Sequence, residues 1–101
     1  MFGKLGDMMG KLQEMKQRAD EIKNKLNDVV ISIEGAGGDI KIEINGNREI
    51  KKLNLSDALQ HGDKAELEKQ LLVAINKAIA EAEKINESEM KKAATGLLPG
   101  L

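Results

Sequence analysis

The chain has 101 residues, a net charge of -1 at neutral pH, and charged side chains at 33% of its positions. It contains no cysteine, which excludes disulfides and thiolate metal sites. Phe2 is the only aromatic residue, so the core has to be aliphatic and thin, and association with a partner would stabilise it. The first residues lack the apolar run of a signal peptide, and no segment approaches the ~20 apolar residues that span a bilayer. We therefore expect a cytoplasmic, soluble protein that does not contact membranes.

The first predicted element is an amphipathic helix that is capped by Asp7 and ends near Leu26. This helix has about 19 residues and a length of roughly 28 Å. Its apolar residues alternate between spacings of four and three, which is typical of a helix packed along another helix. These seam residues are Met8, Leu12, Met15, Ala19, Ile22 and Leu26. Basic residues lie off the seam, and residues 1–27 form the only net-positive third of the chain, with six basic residues against four acidic ones.

Three strands are predicted next, because the apolar period changes to two. They cover residues 29–34, 40–45 and 49–55, and the glycine-rich segment 35–38 separates the first two. The alternating apolar side chains on one face are Val29, Ile31 and Ile33 in the first strand and Ile40, Ile42 and Ile44 in the second. The pattern indicates strands with one buried face.

The turn between the second and third strands contains Asn45-Gly46, a strong hairpin signal between alternating runs. In the third strand Leu53 and Leu55 share a face, but Ile50 is out of phase with them. This irregularity predicts a β-bulge near Lys51-Lys52.

The last predicted element is a long helix that follows a connection, 56–62, with one short turn. Asp63 and Glu66 have the spacing of an N-cap and its N3 partner. The apolar stripe weakens at 86–88, and Thr95-Gly96 and Pro99-Gly100 are expected to end any helix. The helix is predicted to have about 28 residues and a length of roughly 42 Å. The stripe consists of Leu67, Leu71, Ala74, Ile75, Ala78, Ala82 and Ile85.

These elements predict one α+β domain over residues 1–101 with the order α-β-β-β-α. Its antiparallel sheet has three strands, each only ~20 Å long, which cannot cover a helix of the predicted length. Two long helices therefore project from the sheet, and a second copy of the chain is the simplest cover for their apolar stripes. We expect a homodimer.

Little in the sequence indicates catalysis. His61 is the only histidine, and a triad or a histidine-based metal site would need further partners around it. The carboxylates alternate with lysines on the helices, as in Glu81, Glu83 and Lys84, which is typical of a solvated helix surface. We therefore predict that the protein is not an enzyme and has no metal, cofactor or small-molecule substrate.

Two binding hypotheses remain open from the residues alone. The lysine-rich side of the first helix is suited to the phosphates of duplex DNA, whereas the absence of aromatic residues interleaved with the basic ones disfavours stacking on single strands. Alternatively, Met8, Met9 and Leu12 would line a cleft between the projecting helices that holds a peptide or a partner protein.

The order of several short motifs resembles the YbaB/EbfC family of bacterial nucleoid-associated proteins over essentially the whole chain. The motifs are Met1-Phe2-Gly3-Lys4, the segment from Met8 to Met15, Asn45-Gly46, Leu53-Asn54-Leu55-Ser56, the helix start from Lys64 to Leu72, Ala74-Ile75-Asn76-Lys77-Ala78, Met90 and Thr95-Gly96. Each motif is common by itself, and it is their order and spacing that carry the resemblance.

The resemblance implies a tweezer-like homodimer whose projecting helices contact duplex DNA with little sequence preference. It also implies a role in nucleoid organisation and gene expression, without catalysis or a cofactor. The positions that match the basic first helix of the family are Lys11, Lys16, Arg18, Lys23 and Lys25. Lys91 and Lys92, near the end of the second long helix, are expected to join them across the dimer.

Overall fold

A computed structural model describes the backbone of residues 2–97 and the side chains of residues 6–59 and 61–95. The elements are α1 (Phe2–Asn27), β1 (Ile31–Gly35), a single 3-10 turn (Ala36–Gly38), β2 (Ile40–Ile44), β3 (Ile50–Leu55), α2 (Asp57–Gln60) and α3 (Lys64–Leu97). This order confirms the predicted α-β-β-β-α arrangement, and α2 is the short turn expected in the connection.

Both long helices extend further than their sequences predict. α1 begins at Phe2, so Asp7 lies inside the helix and the prediction that it caps the start is wrong. No proline precedes Asp7 to stop the helix. α3 has 34 residues, about 51 Å, and continues past Thr95, whose hydroxyl donates to the Lys91 carbonyl within the helix. Thr95-Gly96 therefore does not end this helix, and Pro99-Gly100, the second predicted stop, lies outside the described residues.

The sheet is antiparallel and has the strand order β1-β2-β3. Ile42 of β2 lies opposite Ile33 of β1 and Leu53 of β3. The register between β2 and β3 shifts by one residue at Glu43/Ile44. The shift leaves Lys51 as the extra residue of β3, which confirms the predicted bulge.

The core lies between one face of the sheet and the middle of α3. Its apolar residues are Ile33, Ile40, Ile42, Ile44, Ala74, Ala78 and Ala82. The alanines bring the helix close to the sheet: a methyl group placed on Gly35 would lie 2.8 Å from the Ala74 Cβ. Small residues in α3 thus pack closely against the isoleucines of β1 and β2.

α3 extends beyond both ends of the strands it covers. Ala74 lies against Gly35 at the end of β1, ten residues after α3 begins, and the C-terminal part of α3 lies beside α1. The radius of gyration is 19.7 Å, compared with about 13 Å for a compact domain of 100 residues. The dimensions of 70 × 21 × 17 Å agree with the prediction that the long helices overhang the sheet.

Candidate nucleic-acid interface

The C-terminal parts of α1 and α3 form a two-helix arm that projects from the sheet. The base of this arm is fixed at the β2–β3 turn, where the Gly46 amide donates to the Leu26 carbonyl at 2.9 Å. The Asn86 side-chain amide donates to the Gly46 carbonyl at 3.1 Å. Further out, the Lys25 ammonium lies 3.3 Å from the Glu89 carboxylate. Contacts therefore continue through the polar segment where the apolar stripe weakens, and they explain why α3 does not end there.

The predicted seam of α1 is covered by α3 only near the base of the arm. Leu26 is fully buried, and Ile22 and Ala19 are partly buried. Towards the N-terminus, Met8 and Leu12 are 65% and 62% exposed. One half of the seam is a helix–helix contact within the chain, and the other half is an exposed apolar surface.

The basic residues of α1 lie on both flanks of the seam. Residues seven positions apart share a helix face. Lys11, Arg18 and Lys25 therefore form one row, and Arg18 and Lys25 of this row line the cleft between α1 and α3. Lys16 and Lys23 form a second row on the opposite flank.

Three of the seven cations predicted to contact DNA are paired with carboxylates. Arg18 lies 3.7 Å from Glu14, and Lys25 and Lys92 lie 3.3 and 3.6 Å from Glu89. Among the side chains that the structure describes, no carboxylate oxygen lies within 4.0 Å of the other four: Lys11, Lys16, Lys23 and Lys91. These four ammonium groups are the ones most available to an anion.

The cleft between α1 and α3 has a volume of about 540 Å³ and contains both signs of charge. Its charged lining residues are Glu14, Arg18, Glu21, Lys25, Glu89 and Lys92. Hydrogen bonding and charge attraction from Lys25, with a smaller contribution from Lys92, hold the pKa of Glu89 below its usual value. The carboxylate is therefore ionised at neutral pH and balances the lysines on either side of it. In the described part of the chain, no group of three or more potential metal ligands is close enough to hold an ion.

α3 carries a third basic row that sequence analysis overlooked. Lys77, Lys84 and Lys91 are spaced by seven residues and share one face of the helix, with Ser88 and Thr95 beside its outer end. The total charge of residues 62–101 is slightly negative, which hid this row. Heptad spacing of the lysines was the signal that could have revealed it.

A separate apolar surface lies where α3 leaves β3 uncovered. The β3 residues Ile50, Leu53 and Leu55 lie opposite buried isoleucines of β2 and so share their face of the sheet, yet they are 41–45% exposed. Leu72 and Ile79 extend this surface along α3. They share a helix flank with Glu83 and Asn86, which contact the β2–β3 turn. We refer to Ile50, Leu53, Leu55, Leu72 and Ile79 as the open apolar face.

A family model described as the YbaB/EbfC DNA-binding family matches residues 1–97. The chain belongs to this family. The match confirms the resemblance inferred from the order of the sequence motifs.

Bacterial relatives of this YbaB/EbfC chain are named nucleoid-associated proteins. One from Hahella chejuensis is 35% identical over 95 residues, which are 94% of this chain and 88% of the relative. Another from Flavobacterium johnsoniae is 37% identical over 77 residues, 76% of this chain and 72% of the relative.

The YbaB/EbfC chain also resembles a solved structure, that of an uncharacterized protein from Helicobacter pylori. The TM-score is 0.74 at 26% sequence identity, over 97% of each chain. No helix within residues 2–97 is both long and apolar enough to cross a bilayer.

Proposed function

We propose that this chain forms a single domain over residues 1–101 and acts as a nucleoid-associated protein. As a homodimer it binds duplex DNA, mainly through backbone phosphates, and thereby influences nucleoid organisation and gene expression. It does so without catalysis or a cofactor and is located at the nucleoid in the cytoplasm. The observation that carries the proposal is a set of lysines on a projecting arm that have no carboxylate partner among the described side chains, in a chain of a DNA-binding family.

Phosphate binding is supported by the spacing of these lysines. Residues in one row are about 10.5 Å apart along the helix, so a row presents several cations to a DNA backbone instead of a single point of contact. Each lysine that neutralises a phosphate releases a counterion and makes the log–log slope of affinity against salt concentration steeper by about 0.9 units. The net charge of -1 gives little long-range attraction, so binding depends on these local rows.

The proposed dimer is supported by the open apolar face. β3 is an edge strand of the sheet, and its backbone edge and its apolar side chains are both uncovered within the chain. A two-fold axis places identical patches against each other, so a second copy would cover this face with a surface of the same chemistry. Two arms would then project from one dimer, as in tweezers.

The DNA proposal is tested by neutralising one row at a time. Fluorescence anisotropy with a labelled duplex should show that Lys16→Gln combined with Lys23→Gln weakens binding and reduces the salt slope by about one unit per lost contact. The matched control is Lys64→Gln with Lys69→Gln, which removes the same charge at the N-terminal end of α3, away from the arm. Equal losses for both pairs would mean that only the total charge matters and would refute the assigned row.

The dimer proposal is tested on β3. Leu53→Asp places a charge in the open apolar face at a residue that is 45% exposed, and we expect sedimentation equilibrium to report a monomer. Asn54→Asp changes the adjacent residue on the other face of the strand and should leave the dimer intact. A Leu53→Asp protein that folds and remains dimeric would show that the copies meet elsewhere.

The second candidate function is a protein- or peptide-binding module. It is favoured by the exposure of Met8, Met9 and Leu12, which are 58–65% exposed at the outer half of the seam. If this surface is the functional one, replacing these residues with alanine should abolish capture of a specific protein while leaving duplex binding unchanged. Failure of the unmodified dimer to bind duplex even at low salt would favour this module over the DNA proposal.

A further inference from the structure

We propose that Glu89 is an internal competitor for DNA phosphates. In the free protein it holds Lys25 and Lys92, and these lysines contact DNA only when they leave the carboxylate. The inference rests on the proposed DNA binding and assigns a new role within it: Glu89 sets how many cations of the arm are available.

The two lysines approach different oxygens of one carboxylate. The Lys25 ammonium lies 3.3 Å from Oε2 of Glu89, and the Lys92 ammonium lies 3.6 Å from Oε1. The Glu89 side chain is only 22% exposed, whereas those of Lys25 and Lys92 are 66% and 72% exposed. The carboxylate is thus less exposed than the two lysine side chains that contact it, so the lysines are the more accessible groups for an arriving phosphate.

The charges around this contact balance each other within the cleft. Arg18 is paired with Glu14 at 3.7 Å, and Glu21 lines the same cleft. Lys25 and Lys92 therefore add little net positive potential while Glu89 is ionised. Ion pairs that involve exposed lysines are weak and screened by salt, so a phosphate is able to displace the carboxylate. The displaced carboxylate is then left close to the DNA, which opposes binding.

Removing the charge of Glu89 distinguishes competition from positioning. If Glu89 merely held the lysines in the geometry that DNA requires, Glu89→Gln would weaken binding. If it competes, the same change strengthens binding, because two lysines become available and the Glu89 carboxylate no longer lies beside the phosphates. The sign of the change in affinity therefore decides between the two roles.

The experiment is duplex anisotropy over a range of salt concentrations with the unmodified dimer, Glu89→Gln and Glu87→Gln. Glu87 lies two residues away on the same helix, is exposed, and makes no ion pair among the described side chains, so it controls for total charge. One additional phosphate contact raises the binding constant by about tenfold at 50 mM salt and steepens the log–log slope by about 0.9 units. We expect Glu89→Gln to raise the binding constant and steepen the log–log slope by at least these amounts. Glu87→Gln should raise the binding constant less and leave the slope unchanged.

A second pair of substitutions tests whether the gain in DNA affinity depends on Lys25 and Lys92. In a protein that carries Lys25→Gln and Lys92→Gln, the further change Glu89→Gln should have no more effect than Glu87→Gln. Circular dichroism and sedimentation of every variant establish that fold and assembly are unchanged.

The outcomes separate this inference from the proposed function. If the unmodified dimer binds duplex and Glu89→Gln binds no better than Glu87→Gln, the competitor role is overturned and DNA binding stands. If neither the unmodified dimer nor Glu89→Gln binds at low salt, both proposals are overturned. Binding by Glu89→Gln alone would support the inference in its strongest form, with Glu89 closing the site.

Discussion

Replacing Gly46 with alanine should destabilise the protein at the base of its arm. A Cβ at this position would lie 2.6 Å from the Leu26 Cδ2, 3.0 Å from its Cβ and 3.1 Å from its carbonyl oxygen. Carbon atoms in ordinary contact are about 3.5–4.0 Å apart. Leu26 is fully buried, so its side chain has no open space into which it can turn. The strain is relieved only if the end of α1 moves away from the β2–β3 turn.

The expected cost follows from the interactions that this movement disrupts. Overpacking a buried site costs about 1–3 kcal/mol. Moving α1 also weakens the hydrogen bond from the Gly46 amide to the Leu26 carbonyl, which contributes about 1 kcal/mol. We therefore expect Gly46→Ala to lower the free energy of unfolding by about 2–4 kcal/mol. At about 4–8 °C per kcal/mol, the midpoint of thermal unfolding should fall by at least about 8 °C.

The assay is thermal unfolding by circular dichroism at a fixed protein concentration, because the melting temperature of a dimer depends on concentration. Gly10→Ala is the matched control. A Cβ on Gly10 meets no atom within 4 Å, and alanine in a helix interior is about 0.5–1 kcal/mol more favourable than glycine. The two substitutions should shift the midpoint in opposite directions. An unchanged midpoint for Gly46→Ala would refute the close contact between α1 and the turn.

Three further predictions concern individual side chains. A carboxyl NMR titration should give Glu89 a pKa below the usual ~4.3. The ionised carboxylate then stabilises the fold at neutral pH, and this contribution is lost as the pH falls through the lowered pKa of Glu89 in the folded protein. Lys25→Met should raise this pKa more than Lys92→Met, and the reverse order would contradict the geometry. Asn45→Ala should lower the unfolding free energy by about 2–3 kcal/mol in urea, because Asn45 is 2% exposed and its side chain hydrogen-bonds within the β2–β3 turn. Ala78→Leu should cost about 1–3 kcal/mol by overpacking, and an unchanged urea midpoint for either variant would contradict the packing described.

The type and order of the elements followed from periodicity, whereas the ends of the helices did not. Apolar residues at every second position identified β1 and β2, and heptad spacing identified α1. The ends failed because a helix boundary depends on what it packs against. α3 continues past its weak segment because Asn86 binds the β2–β3 turn and Glu89 binds Lys25, and both contacts join residues distant in sequence.

For the open apolar face, the sequence predicted the bulge in β3 but not the exposure of its apolar residues. In strict alternation Ile50 faces away from Leu53 and Leu55, and the sequence therefore indicated a bulge. The extra residue, Lys51, returns Ile50 to the same face as the two leucines. Only the position of α3 over β1 and β2 reveals that this face is uncovered, because no local pattern determines where a helix crosses a sheet.

The sequence identified which basic residues are candidates for DNA contact, but it did not show which of them form ion pairs with carboxylates. The sequence did not distinguish Lys16 from Lys25, because both are basic residues off the α1 seam. Their environments differ. Lys25 and Lys92 share the carboxylate of Glu89, which is 64 residues from Lys25 in the sequence, whereas no described carboxylate pairs with Lys16. Such a distinction depends on how the two helices of the arm dock.

The most direct test of the account is the salt dependence of duplex binding by the unmodified protein. Anisotropy should be measured between 50 and 200 mM salt on two duplexes of equal length and unrelated sequence. With four lysines in each of two arms that pair with no described carboxylate, we predict similar affinities for both duplexes and a log–log slope of about -3 to -6. No binding at 50 mM salt, or a slope shallower than about -1, would contradict a phosphate-binding dimer.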